Sequence, residues 1–130
     1  GQPVLVIDEP TSQLDPQSTD DVFEVIKLMK SMGKTIVLVE HKMEQIAEYA
    51  DHVVVLNKGE VVMEGTAKEV FSNPLCEEYH TRLPQCTKIA GELKNMGIDM
   101  EGTPVTVEET VNTIKAVMEN KRKEMEKWRL

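Results

Sequence analysis

The chain of 130 residues has the length of one ordinary domain, and 40% of its residues are hydrophobic, which is enough to build a core. It carries 15 basic and 23 acidic residues, for a formal net charge of -8. This charge argues against nucleic-acid binding, because contact with phosphates requires clustered lysine and arginine. No apolar run approaches the roughly 20 residues of a membrane span and no secretory signal opens the chain, so we expect membrane association only through a partner.

The two cysteines, Cys76 and Cys86, are too few for the disulfide framework of a small secreted domain. We expect free thiols in a reducing cytosol. Cys76, His80 and Cys86 make a poor zinc site, because there is no paired Cys-x₂-Cys and no fourth ligand at suitable spacing. The first residue is Gly1, almost directly before an apolar strand, and we expect a cut chain.

The first third of the sequence has the pattern of a strand, a helix and a second strand. Val4–Ile7 is a continuous aliphatic run, which predicts a parallel strand buried on both faces. Asp15 and Pro16 provide an N-cap and a first helical residue, and Gly33 provides a stop. Thr35–Val39 predicts a second strand, parallel to the first because the helix carries the chain back. The apolar face of the helix is predicted from Val22, Val25, Ile26, Met29 and Met32.

Further elements follow along the chain. A short helix is predicted over Met43–Tyr49, and the segments 52–56 and 60–63 flank a turn at Asn57-Lys58-Gly59 and predict a β-hairpin. The tail predicts helices over 67–72, 85–96 and from Thr106 onward, the last with a capping box between Thr106 and Glu109. Its apolar stripe comprises Val107, Val111, Ile114 and Met118, and its charged run 121–127 is expected to face solvent.

Polar residues leave the two parallel strands at their carboxyl ends. Asp8 and Glu9 follow the first strand and His41 follows the second, so the three side chains should converge on one crevice. A hydrophobic strand that ends in Asp-Glu is the Walker B pattern. In its chemistry Asp8 would hold Mg²⁺ through a coordinated water, Glu9 would orient and deprotonate the attacking water, and His41 would hydrogen-bond the γ-phosphate.

Three motifs in order resemble those of ATP-binding cassette proteins. Val4-Leu5-Val6-Ile7-Asp8-Glu9-Pro10-Thr11 resembles their Walker B, Ser12-Gln13-Leu14-Asp15 their D-loop, and Val39-Glu40-His41 their switch-histidine loop. The stretch 51–65 resembles the hairpin that follows in transporter cassettes. In the tail, the stretches 83–90 and 103–109 resemble the C-terminal extension of energy-coupling factor and cobalt-type importer ATPases.

The resemblance implies a partial ABC ATPase fold, an α/β fold of the P-loop NTPase type, with a helical C-terminal extension. It places the C-terminal portion of the cassette at 1–74 and the extension at 75–130. The implied activity is ATP hydrolysis coupled to import of a vitamin or metal ion, with ATP and Mg²⁺ as cofactors. Asp15 would act across a dimer with a second ATP-binding subunit. A transmembrane transporter subunit would hold the protein at the inner face of the membrane.

The chain also departs from the family pattern. The Gly-rich phosphate-binding loop with its lysine, the Gln-containing loop and the Ser-Gly-Gly-Gln signature are absent from the sequence. We therefore predict that the chain alone neither binds ATP tightly nor hydrolyses it. Gln13 replaces a small residue of the D-loop, and Glu40 replaces the hydroxyl residue frequent before the histidine.

Two functions of other classes stay open at this point. The chain could be a non-catalytic interaction module that dimerises through its tail. It could also be the head of a DNA-repair type ATPase, although the acidic charge and the transporter-like hairpin argue against this.

Overall fold

The computed structural model describes residues 3–129, so the interpretation of Gly1 lies outside the described residues. The chain divides into two compact units, Gly1–Tyr49 and Ala50–Leu130, and each is described by itself.

The first unit is a β-α-β unit followed by a short helix. Strand β1 (Val4–Asp8) leads to helix α1 (Pro16–Ser31), strand β2 (Thr35–Val39) and helix α2 (Met43–Tyr49). The two strands are parallel, with Val4 beside Thr35 and Asp8 beside Val39. The predicted β-α-β order and parallel pairing are therefore confirmed.

Helix α1 begins and ends where the sequence predicts. Its N-cap is Asp15, whose side chain accepts a hydrogen bond from the Ser18 backbone N–H at 2.8 Å, and Gly33 follows its end with a φ of 79°. The predicted apolar face is partly wrong, because Val25 and Met32 are exposed. The buried side chains of α1 are Thr19, Phe23 and Ile26, and the Phe23 ring stacks on Tyr49 of α2 with centroids 5.0 Å apart.

The prediction that these strands are buried on both faces is wrong for the part of the chain that the structure describes. Val4 and Val6 of β1 are 59% and 72% exposed, and Val37 and Val39 of β2 are also exposed. Paired residues of parallel strands share a face, so these four valines form one apolar surface, here called the valine face. The opposite face, which carries Leu5, Ile7, Ile36 and Leu38, is half-buried.

The second unit begins with the predicted hairpin. Strands β3 (Val53–Asn57) and β4 (Glu60–Gly65) pair antiparallel, with a register irregularity between Val55 and Leu56. Lys58 and Gly59 form the turn with φ values of 51° and 82°, the left-handed conformation that glycine accepts most readily. Helix α3 (Ala67–Phe71) packs against β4, and the core here comprises Val53, Met63, Ala67, Val70 and Phe71.

The tail of the second unit is helical. Helices α4 (Leu75–Glu78), α5 (Gln85–Asn95) and α6 (Val107–Lys127) follow, of which α4 was not predicted. Thr106 caps α6 by accepting from the Glu109 backbone N–H at 3.2 Å. The predicted capping box is wrong in one bond, because the Glu109 carboxylate accepts from the Val105 N–H at 2.9 Å instead. A full capping box forms at Thr66 and Glu69, before α3.

The charged run 121–127 is exposed, as predicted. Cys76 and Cys86 are free thiols, also as predicted. Among residues 3–129 no helix is both long and apolar enough to cross a membrane.

Candidate functional site

The candidate site lies where β1 ends. Asp8 is exposed on the last residue of the strand, and Glu9 follows with a φ of 44°, an uncommon value for a residue other than glycine. The Glu9 N–H donates to the Val39 carbonyl at 2.8 Å, and the Glu9 carbonyl accepts from Ser12 at 3.3 Å. Such a backbone conformation costs about 1–3 kcal/mol and persists only where neighbouring contacts hold it. The turn after β1 is thus fixed against the end of β2.

Glu9 and His41 meet directly. His41 Nε2 lies 2.5 Å from Glu9 Oε1, and the His41 side chain is 70% exposed. The parallel strands explain this contact, because their carboxyl ends lie at one edge of the sheet. Two of the three residues predicted to converge therefore touch, at a place that solvent reaches.

Asp8, which is predicted to hold Mg²⁺ through a water, lies at the carboxyl end of β1. Its side chain is exposed beside the Glu9–His41 pair in sequence, and a lone carboxylate that leaves waters on the ion suits Mg²⁺. Within residues 3–129, no group of three or more His, Cys, Asp or Glu side chains is arranged to hold a metal ion. Asp8 could therefore contribute one ligand to a site completed by waters and a nucleotide, and these residues form no all-protein metal cage.

Asp15 has a local structural role. Its two carboxylate oxygens accept from the backbone N–H of Ser18 at 2.8 Å and from the Ser18 hydroxyl at 3.1 Å. These hydrogen bonds, the backbone one first, hold the pKa of Asp15 below its ordinary value. This is the chemistry of a helix N-cap, and any role of Asp15 toward a nucleotide stays a prediction.

A largely buried polar network links the segments that carry Glu9 and His41. It is formed by Thr11 after β1, Thr19 of α1, and Glu40 and Lys42 after β2. From the sequence alone, Glu40 is only a departure from a family pattern, and Lys42 has no predicted role. The signal that could have revealed this network is the pair of charged residues, Glu40 and Lys42, on either side of His41 directly after the aliphatic strand β2.

The β-α-β unit with its acidic pair and histidine is part of an ABC ATPase fold. The comparisons confirm the resemblance read from the motifs. Over 112 residues, 85% of this chain, the sequence is 43% identical to the energy-coupling factor transporter ATP-binding protein EcfA1 of Clostridium novyi. It is 40% identical over 113 residues to EcfA2 of Streptococcus pyogenes. The chain spans 40% of the length of each of these relatives.

Solved structures of ATP-binding cassettes of ABC transporters share this fold. One in the ADP conformation matches with a TM-score of 0.53 and 30% identity, over 59% of this chain and 32% of its own. A nucleotide-free cassette matches with a TM-score of 0.55 and 28% identity, over the same shares of the two chains, 59% and 32%. No family model matches the chain.

Proposed function

We propose that the chain is the C-terminal part of the ATP-hydrolysing subunit of an ABC importer of the energy-coupling factor or cobalt type. The contact between Glu9 and His41, at the shared edge of β1 and β2, is the observation that carries this proposal. The similarity to energy-coupling factor ATP-binding proteins over 85% of the chain supports the importer type.

In the proposed mechanism Glu9 is the general base. Its carboxylate orients the attacking water and takes its proton, a contribution worth typically 10²–10⁴-fold in rate. His41 exchanges its bond to Glu9 for one to the terminal phosphate, which leaves the carboxylate available to water. Asp8 would hold the Mg²⁺ ion, and the ion would neutralise charge on the phosphates.

The remaining assignments follow from the same family resemblance. Asp15 acts toward a nucleotide across a dimer with a second ATP-binding subunit, in addition to capping α1. A transmembrane subunit couples hydrolysis to transport and keeps the protein at the inner face of the membrane. The extension at 75–130 takes part in pairing.

A segment swap tests this function. The matched stretch of this chain replaces the corresponding 112 residues of the Clostridium novyi relative, and MgATP hydrolysis by the hybrid is measured. We expect turnover that an Asp8→Ala substitution abolishes. A folded hybrid that binds MgATP but shows no hydrolysis would contradict the proposal.

The chain alone is expected to be inactive, because its sequence contains no Gly-rich loop to surround the β- and γ-phosphates with N–H groups. Isothermal titration of the chain with MgATP should show no binding in the micromolar range. Micromolar binding would overturn this part of the proposal.

A second role, as a pairing module, is favoured by helix α6. Four of its apolar residues are exposed and lie four or seven residues apart, which places them along one seam of the helix: Val107, Val111, Met118 and Met125. We propose a second ATP-binding subunit as the occupant. A Met118→Lys/Met125→Lys double variant should lower pairing in sedimentation experiments, whereas Ala116→Lys with Lys123→Glu, on another face of α6, should not. Equal pairing by the two double variants would exclude this seam.

A further inference from the structure

The side chains on either side of His41, those of Glu40 and Lys42, are hydrogen-bonded to Thr11 in the turn after β1. Glu40 is only 8% exposed, in contrast to the His41 side chain. Glu40 Oε1 accepts from the backbone N–H groups of His41 and Lys42, at 2.9 and 3.2 Å. Glu40 Oε2 accepts from the Thr11 hydroxyl at 2.9 Å. One carboxylate thus joins the loop after β2 to the turn after β1.

Lys42 makes a second connection between the same segments. Its Nζ donates to the Thr11 carbonyl and to the Thr19 hydroxyl, each at 3.0 Å. Thr11 and Thr19 are buried, and Thr19 belongs to α1. The network therefore anchors both loops to each other and to the first turns of the helix.

The hydrogen bonds of Glu40 and Lys42 join the two segments that carry Glu9 and His41. Glu9 lies two residues before Thr11, and His41 lies between Glu40 and Lys42. We propose that Glu40, assisted by Lys42, is a positioning residue that sets the distance between the Glu9 carboxylate and the His41 imidazole. This inference rests on the proposed function for its catalytic consequence, but its geometric part concerns this chain alone.

Substitution of Glu40 by glutamine or by alanine tests whether its hydrogen bonds position His41. In Glu40→Gln the side-chain oxygen can still accept from both N–H groups, and the amide can donate to the Thr11 hydroxyl. In Glu40→Ala these three partners lose their bonds. If position depends on the hydrogen bonds, glutamine preserves the Glu9–His41 contact and alanine does not.

The geometric part is tested by NMR on the 130-residue chain. In Glu40→Ala, the amides of His41 and Lys42 should exchange at least about tenfold faster, and the His41 Nε2 resonance should lose the shift caused by Glu9. In Glu40→Gln, the amide exchange rates and the His41 Nε2 resonance should stay near those of the wild type. The same is expected of the control Glu48→Ala, which removes an exposed carboxylate of α2. Unchanged His41 signals in Glu40→Ala, or equal changes in both Glu40 variants, would overturn the inference.

Glu40→Ala could unfold the first unit, and loss of amide protection at the buried Ile26 would reveal this. A second variant tests the inference in that case. Lys42→Met keeps the aliphatic stem and removes the Nζ bonds. It should shift the His41 Nε2 resonance while Ile26 stays protected. An unshifted resonance in this variant would then decide against the positioning role.

The catalytic part is tested in the hybrid ATPase. Since a misplacement of about 1 Å can cost on the order of 10²-fold, Glu40→Ala should lower kcat by roughly 10–100-fold, with the KM for MgATP within about threefold. Glu40→Gln should restore most of kcat. A raised KM at unchanged kcat would contradict positioning. Absence of hydrolysis in the unsubstituted hybrid would count against the proposed function instead, and the NMR result would still decide the geometric part.

Discussion

At the scale of single residues, the Glu9–His41 pair was predictable because parallel strands deliver their next residues to one edge. The network behind it was not. Whether Glu40 or His41 turns inward depends on loop geometry, and the positive φ of Glu9 that shapes the facing turn has no sequence signal such as glycine. Asp15 illustrates the opposite case, because its N-cap role was readable from the following Pro16.

The hydrogen bonds of Asp15 should also make the stability of the fold depend on pH. Hydrogen bonds from Ser18 lower its pKa below the ordinary value of 3.8, so the charged form stabilises the folded state. That contribution is complete above the unfolded-state pKa and is lost as pH falls through the lowered folded-state pKa. Asp15→Asn keeps an acceptor oxygen but cannot titrate. The difference in urea midpoint between wild type and Asp15→Asn should therefore shrink between pH 6 and pH 3, and a constant difference would contradict this account.

At the scale of elements, strand and helix positions followed from periodicity and caps, whereas burial did not. The predicted apolar face of α1 included Val22 but not its neighbour Phe23, which is the buried residue. Val25 and Met32 fit helical spacing, but within residues 3–129 no element covers them. The short α4 was missed because it has only four residues and its N-cap residue, Pro74, makes no side-chain hydrogen bond. Periodicity reports which faces are apolar, and the partners of those faces decide which are buried.

Phe23 should be the main contact between α1 and α2. It is fully buried and stacks on Tyr49, so it holds α1 to α2. Phe23→Ala should cost about 3–5 kcal/mol in unfolding free energy of the first unit, whereas Leu28→Ala, exposed on the same helix, should change it by less than about 0.5 kcal/mol. Chemical denaturation followed by circular dichroism measures both. Equal losses would show that Phe23 does not anchor this unit.

For the chain as a whole, the valine face is an exposed apolar surface that a partner could cover. Among residues 3–129, β1 and β2 form a two-stranded sheet, so each strand has an unpaired edge in addition to the exposed side chains of Val6 and Val37. We therefore expect the chain to self-associate in dilute solution. In sedimentation velocity its mean mass should rise with concentration, and Val6→Thr/Val37→Thr should suppress the rise. Val54→Thr, an exposed valine of the hairpin, should not. A monodisperse wild-type monomer would contradict this prediction.

The predicted division of the chain into a cassette portion at 1–74 and an extension at 75–130 stays a prediction. The compact units meet at residues 49 and 50 instead, because the hairpin groups with the helical tail. The two divisions answer different questions, since one concerns a family boundary and the other the compactness of this chain.

We propose that this chain supplies the carboxylate that activates water, Glu9, and not the groups that bind the phosphates. The decisive experiment is Glu9→Gln in the hybrid ATPase, with kcat and MgATP affinity measured separately. We expect kcat to fall by about 10²–10⁴-fold while the affinity for MgATP stays nearly unchanged. A kcat that stays within threefold of the unsubstituted hybrid, or a loss confined to MgATP affinity, would contradict it.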